Sequence, residues 1–250
     1  MNLYVIERLI KGNEETDRIV PVALTFAPPI LVFVGILLLM AGSEKESYYY
    51  YDEHYYTYYE EQNYTFLGLG FLLLAVGAII GVYLIYVLIS RRNAHFERTT
   101  MLYESISSYL NSSRLRETAV RMKNEQGDEK NPVLWIALYL ISSLVPILGL
   151  IVIIYIFHFL NRDFVKHDRN ERIFLEQLSE VLPIDETIHL SKIGRFPDRN
   201  TIMYFVLTVL TLGLFEIYWL YTLINDPNEH FREHRIIEAK ILEALKNKKI

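Results

Sequence analysis

Apolar residues are concentrated in four long stretches of the chain, and strongly charged segments separate these stretches. They cover residues 21–41, 66–89, 133–159 and 201–224, and none of them contains Lys or Arg. Each is at least as long as the ~20 residues that a helix needs to cross roughly 30 Å of hydrocarbon. The pattern predicts an all-α integral membrane protein with four transmembrane helices.

The polar segments behind these spans carry apolar residues at helical spacing. Amphipathic helices are predicted over residues 93–123, 163–182 and 227–247. Asp226 and Pro227 supply the expected start of the last one, since Pro favours the first helical position. Its apolar stripe consists of Phe231, Ile237, Ile241 and Leu245. Each stripe must be buried against another helix, the membrane surface or a second copy of the chain.

An internal repeat relates the second and fourth spans. Residues 83–96 align without gaps with residues 218–231, and seven of the fourteen positions are identical. A looser match joins Phe164-x-x-His167-x-x-x-Glu171 to the sequence Phe231-x-x-His234-x-x-x-Glu238. We interpret the chain as two tandem modules, residues 1–131 and 132–250, each with two spans and cytoplasmic or interfacial amphipathic helices.

The positions of Lys and Arg predict the orientation, because cytoplasmic segments are enriched in both. With both termini in the cytoplasm, segments 1–20, 90–132 and 225–250 hold 17 of the 25 Lys and Arg residues. We therefore expect a multi-pass protein of the cell membrane. An alternative remains for span 133–159, because Ser142, Ser143 and Pro146 interrupt it. It could be a re-entrant hairpin that returns to the cytoplasm, which would place the basic residues behind it on that side.

Composition excludes several classes of function. The net charge of −5 disfavours nucleic acid as a partner. The absence of Cys excludes disulfides and thiolate metal sites. No pattern for phosphate binding or for a nucleophile with its base is present, so we expect no enzyme and no cofactor.

The external loop at 42–65 is rich in Tyr and in carboxylates. Rings with one polar end suit a membrane-interface collar or a recognition surface. The recognition candidates are Tyr48, Tyr49, Tyr50, Tyr51, Tyr55, Tyr56, Tyr58 and Tyr59. A loop of biased composition with no specific ligand is the alternative.

The strongest catalytic pattern is formed by His230, Glu233 and His234, which match the His-x-x-Glu-His motif of inverted zinc proteases. A third ligand would have to lie far downstream, and only sixteen residues follow. The first repeat keeps His95 but has Thr99 where His234 would be. We therefore expect two histidines on an interfacial helix and no metal.

Two further features lie within the spans. Glu216 is a carboxyl inside the fourth span, where it should face other helices or water. Gly77 and Gly81 have the spacing that permits close helix approach. Both features are satisfied most easily against a neighbouring helix, so we expect self-association.

The stretch Thr211-Leu-Gly-Leu-Phe-Glu-Ile-Tyr-Trp-Leu-Tyr221, preceded by Arg199 and Asn200, resembles a known signature. Over residues 199–225 it is similar to a prokaryotic membrane family catalogued as domain of unknown function 4234. Glu216 departs from the family pattern, which usually has a small residue there. The resemblance implies a prokaryotic membrane protein and no particular chemistry.

Two functions follow as expectations. The first is a non-enzymatic structural or interaction protein, an oligomeric scaffold that associates with membrane lipids and with itself or a membrane-protein partner. The alternative is an oligomeric ion channel or transporter that uses Glu216 and the acidic Tyr-rich loop.

Overall fold

The computed structural model describes residues 2–52, 55–125 and 127–248, with side chains at all of these positions except 46–61 and 185. A 3₁₀ turn at Val22–Thr25 precedes the third helix. The helices are α1 (Leu3–Lys11), α2 (Asn13–Thr16), α3 (Ala27–Ser43), α4 (Tyr64–Tyr109), α5 (Ser113–Glu125), α6 (Pro132–Ser142), α7 (Pro146–Ser179), α8 (Asp185–Leu190), α9 (Thr201–Leu210) and α10 (Leu214–Asn247). The strands are β1 (Lys45–Asp52) and β2 (Tyr55–Gln62).

The chain forms two compact units. The large unit comprises Met1–Val22 and Ile85–Ile250, and the small unit comprises Ala23–Leu84. This division differs from the tandem modules 1–131 and 132–250 that we expected from the repeat.

In the small unit, α3 packs antiparallel on the first half of α4 through glycines. A Cβ added to Gly70 would lie 2.7 Å from Cγ of Leu39, and one on Gly77 would lie 3.3 Å from Cβ of Leu31. Gly81 has no atom within 4 Å of such a Cβ. Of the two glycines predicted to mediate helix packing, Gly77 therefore contacts α3 of the same chain, and Gly81 makes no close contact.

The Tyr-rich segment is a β-hairpin, which departs from the expected all-α fold. β1 and β2 are antiparallel, with Tyr48 opposite Tyr59 and Tyr51 opposite Tyr56. Tyr and Thr favour extended backbone, which explains why this segment pairs as strands. The side chains of the eight predicted recognition tyrosines lie outside the described part of the structure.

The single helix predicted over 133–159 is wrong, because this stretch folds back on itself as α6 and α7. The ring of Trp135 lies 5.3 Å from that of Tyr155 and 5.2 Å from that of Phe159. In one straight helix, residues 135 and 159 would be about 36 Å apart. The chain turns ahead of Pro146, and Gly149, which has no Cβ, tucks against Ser143. The stretch therefore has the folded-back shape that the re-entrant alternative requires.

The single helix predicted over 201–224 is also wrong. Here α9 and α10 form a second hairpin, in which the ring of Tyr204 lies 5.6 Å from that of Trp219. At the base of the hairpin, Nε of Arg199 lies 3.0 Å from Oδ2 of Asp226. The turn contains Gly213 with φ of +93°, a backbone conformation that glycine adopts without steric cost.

Three helical segments are long and apolar enough to cross a membrane: Val22–Ser43, Tyr64–Tyr109 and Pro146–Ser179. These features indicate a membrane protein. The shorter apolar helices are Pro132–Ser142 and Thr201–Leu210.

The predicted amphipathic stripes meet in one core of the large unit. The segment predicted as one helix over 93–123 is the end of α4 followed by α5, with a turn at Asn111, where φ is +50°. Burying these stripes inside the chain removes the main reason to expect that a second copy covers them. The core includes Ile6, Ile10, Leu102, Ile106, Leu115, Phe174, Leu175, Leu178, Leu182, Ile237, Ile241 and Leu245.

The last helix does not begin at Pro227, as the sequence suggested, but runs without interruption from Leu214. Proline has no N–H to donate to the carbonyl four residues earlier, which belongs to Leu223. Nη2 of Arg91 donates to that carbonyl at 2.8 Å and to the carbonyl of Ile224 at 3.2 Å. The Arg91 guanidinium therefore supplies the missing donor, so the helix continues through the proline.

Asparagine side chains on the long helices hold the backbone that leads into the apolar hairpins. On α4, Asn93 donates to the carbonyl of Lys130 at 2.7 Å and accepts from its N–H at 3.2 Å. On α7, Asn161 donates to the carbonyl of Pro197 at 3.1 Å and accepts from the N–H of Arg199 at 3.0 Å. In both cases one amide satisfies a backbone donor and a backbone acceptor, and we call these contacts asparagine clamps.

A third clamp closes the series into a ring. On α10, Asn228 donates to the carbonyl of Val20 at 2.8 Å and accepts from its N–H at 3.1 Å. Thus α4 holds the segment before α6, α7 holds the segment before α9, and α10 holds the segment before α3. Each clamp ties one long helix to the beginning of another apolar hairpin.

We predict that Asn228→Ala lowers the free energy of unfolding by about 1–3 kcal/mol, because the buried N–H and carbonyl of Val20 lose their partners. Chemical denaturation of the detergent-solubilised protein measures this change. Asn247→Ala, at an exposed position near the end of α10, is the matched control and should change stability by less than about 0.5 kcal/mol. Equal effects of the two substitutions would contradict the role assigned to the clamp.

Candidate functional site

The long helices α4, α7 and α10 meet in the large unit at three phenylalanines. Phe96, Phe164 and Phe231 form a buried cluster in which the first two rings lie 5.1 Å apart and the last two 5.9 Å apart. Each phenylalanine follows the clamping asparagine of its own helix by three residues. The shared Asn-x-x-Phe pattern therefore places equivalent positions of the three helices at one level.

Polar side chains converge around this level. Their possible ligand atoms all lie within 4.8 Å of one another. Each of these residues is at most 5% exposed, although their side chains are ionisable. We call this group the histidine cluster, and it consists of His95, His167, Glu171, His230 and His234.

The carboxylate of Glu171 lies at the centre of the cluster. It accepts hydrogen bonds from the Tyr103 hydroxyl at 3.0 Å and from Nε2 of His234 at 2.7 Å. Nε2 of His167 lies 3.2 Å from one carboxylate oxygen, and Nε2 of His230 lies 3.4 Å from the other. One carboxylate on α7 thus connects residues of all three long helices.

Three of the imidazoles have a second carboxylate behind the ring. The Nδ1-to-oxygen distances are 2.9 Å for His95–Asp17, 3.2 Å for His230–Asp168 and 3.3 Å for His234–Glu238. A carboxylate at Nδ1 favours a proton on that nitrogen, and we assign the tautomers on this basis. In neutral His95 this tautomer leaves a lone pair on Nε2, whereas Nε2 of His234 donates to Glu171.

Several of these Nε2 atoms make no hydrogen bond. Those of His95, His167 and His230 are buried and unbonded within the described part of the chain, although Nε2 of His167 and of His230 lie 3.2 Å and 3.4 Å from the Glu171 carboxylate as ion-pair contacts. An unsatisfied buried polar atom costs about 1–3 kcal/mol, so native proteins retain few of them. Three such atoms within one buried cluster therefore need an explanation.

Arg98 links two of the outer carboxylates. Its guanidinium lies 2.8 Å from Oδ2 of Asp17 and 2.7 Å from Oε1 of Glu238. Asp168 and Glu171 have histidines as their ion-pair partners in the described structure. The cluster therefore holds more carboxylates than the guanidinium can neutralise.

The pKa values follow from burial and from these contacts. Burial lowers the pKa of His95 and His167, which favours neutral rings. Burial also opposes protonation of His234, but Glu171 and Glu238 outweigh it and raise the pKa of His234 to about 10. Burial raises the pKa of Glu171, yet His167 and His234 hold it well below its usual range. The centre of the cluster therefore favours a positive charge.

The structure separates the three residues of the His-x-x-Glu-His pattern. His230 and His234 belong to the cluster, whereas Glu233 is half-buried outside it and accepts a hydrogen bond from the Lys192 N–H at 3.4 Å. Glu233 is therefore not placed to act as a general base beside these histidines.

Glu216, the carboxyl predicted inside the fourth span, lies exposed in the first turn of α10.

Sequence reasoning did not bring His95, His167 and Glu171 together with His230 and His234. The sequence did contain a signal for this arrangement, because Phe231 is matched to Phe96 by one repeat and to Phe164 by the other. Aligning the three helices on these phenylalanines would have placed the histidines and Glu171 near one level. Asp17 had no comparable signal, since it lies in the N-terminal segment and reaches His95 only in the folded chain.

The fold and the site define a helical, membrane-associated class of protein with a buried polar centre. Residues 199–242 match the model of a family described as a domain of unknown function, DUF4234. This match confirms the resemblance seen in the sequence, and it covers α9 together with most of α10, including His230 and His234. No curated protein and no solved structure matches the chain.

We predict that Arg98→Met lowers the free energy of unfolding by about 3–5 kcal/mol, because it leaves the buried carboxylates of Asp17 and Glu238 without their cation. Thermal and chemical unfolding in detergent measure the loss. Arg232→Met is the control, since Arg232 is exposed and pairs with Glu229 on the surface of α10. A loss of that size for Arg232→Met as well would mean that the effect is not specific to the buried pair.

Proposed function

We propose that this chain is a non-enzymatic membrane scaffold, whose large unit holds apolar helical hairpins in a fixed arrangement in the bilayer. The ring of asparagine clamps is the observation that carries this proposal. Through it, each of the three long helices fixes the backbone at the start of another apolar hairpin. Within the large unit, the clamps thus fix the starts of the α6–α7 and α9–α10 hairpins.

The hairpin geometry favours a topology with two complete spans. α3, with 17 residues, and the apolar first half of α4 supply them. α6 has 11 residues and α9 has 10. At 1.5 Å per residue these helices are about 16 Å long, roughly half of the hydrocarbon thickness. We therefore propose that the α6–α7 and α9–α10 hairpins enter the bilayer from one side and return to it.

The distribution of positive charge supports this topology more strongly than it supports four spans. With both hairpins re-entrant, Lys45 is the only one of the 25 Lys and Arg residues outside the cytoplasmic side. Both termini are then cytoplasmic and the Tyr-rich β-hairpin is external. The cell membrane is the proposed location.

The tips of the two hairpins support lipid as the partner. Leu144 is 84% exposed and Leu212 is 94% exposed, and both lie in the turns of their hairpins. Exposed apolar tips of this kind are stable in hydrocarbon and costly in water. Contacts with a second copy or with a membrane-protein partner would then involve lipid-facing surfaces, since the amphipathic stripes are buried within the chain.

The histidine cluster supports the non-enzymatic assignment. Its side chains are at most 5% exposed, and in the described structure only His230 of them borders a cavity, of about 210 Å³, whereas a catalytic centre must admit a substrate to its reacting groups. Glu216 lies in the first turn of α10, where the positive end of the helix dipole favours a carboxylate.

The topology can be tested with single cysteines, because the natural chain has none. In sealed, oriented vesicles we expect an impermeant thiol reagent to label Lys166→Cys and Lys240→Cys from the same side. Glu44→Cys should be labelled from the opposite side, and Leu212→Cys should be protected from both. Labelling of Lys166→Cys from the Glu44 side would restore the four-span model.

The scaffold role can be tested with nitroxide labels at Leu144→Cys and Leu212→Cys. In lipid vesicles we expect a narrow distribution of distances between the labels, since both hairpins are fixed to the large unit. Asn161→Ala removes the clamp that holds the segment before α9 and should broaden this distribution, whereas Asn247→Ala should leave it unchanged. A distribution that is already broad in the parent protein, or one that Asn161→Ala does not alter, would sink the proposal.

A further inference from the structure

We propose that the histidine cluster binds one divalent transition-metal ion that joins α4, α7 and α10. The ligands are Nε2 of His95, His230 and His234 and the carboxylate of Glu171, with His167 as a fifth donor. Such an ion would be a structural centre inside the scaffold. It was not expected from the sequence, where His230 and His234 were interpreted as interfacial histidines.

The spacing of the donors fits a single ion. Imidazole nitrogens and carboxylate oxygens bind Zn²⁺ at about 2.0–2.2 Å, so two ligands of a tetrahedral ion are about 3.4 Å apart. The five donor atoms here lie within 4.8 Å of one another. Side-chain movements of about 1 Å would therefore bring the donors to coordination distance.

The outer carboxylates match the usual surroundings of metal-bound histidine. A ligating imidazole almost always donates its other N–H to a carboxylate, a carbonyl or water, which fixes the ring and raises its basicity. Asp17 and Glu238 occupy that position behind His95 and His234, at hydrogen-bond distance from Nδ1. Asp168 lies 3.2 Å from Nδ1 of His230 without a hydrogen bond to it. Three carboxylates on the outer side of three histidines are difficult to explain by packing alone.

The unpaired nitrogens provide the independent observation. A proton on His234 can offset part of the negative charge, but it cannot satisfy the lone pairs on Nε2 of His95 and His230 at the same time. A cation between these atoms satisfies all of them and offsets the excess of carboxylates. The buried Nε2 atoms that lack hydrogen-bond partners are therefore explained by one ion.

The donor set narrows the choice of metal and its role. Imidazoles with one carboxylate suit Zn²⁺ or Fe²⁺, whereas Ca²⁺ and Mg²⁺ prefer oxygen ligands. Four or five protein ligands that are each at most 5% exposed match the closed coordination of structural zinc sites. The ion would thus stabilise the junction of the three helices.

The direct test is the metal content of the purified full-length chain in detergent. We expect about one equivalent of Zn²⁺ or Fe²⁺ per chain, retained on dialysis against metal-free buffer. X-ray absorption at the metal edge should show a first shell of nitrogen and oxygen with imidazole scattering. Removal by a strong chelator should lower the melting temperature by about 5–10 °C, and Zn²⁺ alone should restore it.

Substitution of the proposed ligands tests where the ion binds. His95→Gln and His230→Gln should each reduce the bound metal at least tenfold, whereas His189→Gln, at an exposed position on α8, should retain it. Two results overturn the proposal: a parent protein that holds no stoichiometric metal after incubation with Zn²⁺ or Fe²⁺, or one whose metal-edge spectrum lacks imidazole. Both measurements use the parent protein, so they decide the matter even where a variant fails to fold.

Discussion

The need to satisfy backbone polar groups at the base of the apolar hairpins governs this structure. Where the chain passes from the polar unit into an apolar hairpin, its N–H and carbonyl groups are partly or fully buried before any helix can pair them. The asparagine clamps of α4, α7 and α10 meet that need with one side chain each. Because each clamp joins a different pair of segments, the three helices cannot shift independently.

The positions of the buried phenylalanine cluster and of the histidine cluster follow from this arrangement. With the clamps at one level, the residues three positions further on must meet, and Phe96, Phe164 and Phe231 fill that space. The polar residues beside and beyond them then face one another in a place that water does not reach. Such a group is stable only if its charges and lone pairs are balanced, which Arg98 achieves for two carboxylates and the proposed ion would achieve for the rest.

The length of the hairpin helices and the exposure of their tips support the scaffold proposal. Short apolar helices that turn back after about 16 Å are too short to cross a bilayer, but they can fill the half nearest to the polar unit. The exposed leucines at both tips would be unfavourable in water. The large unit would then fix both the depth and the mutual position of these hairpins.

The sequence by itself determined the helical character, the apolar segments, the amphipathic stripes such as Ile237 and Ile241, and the family resemblance near residue 199. These features are local, since each depends on composition or periodicity within one segment. For residues 133–159 the sequence left a span and a hairpin both open, and for residues 201–224 it gave no sign of a turn, because apolar composition is the same in a span and in a hairpin. Only the tertiary structure decided that, through contacts such as Trp135 with Phe159. The histidine cluster likewise depends on three helices in register, and Asp17 enters it from a distant segment. No single stretch of sequence could have specified that assembly.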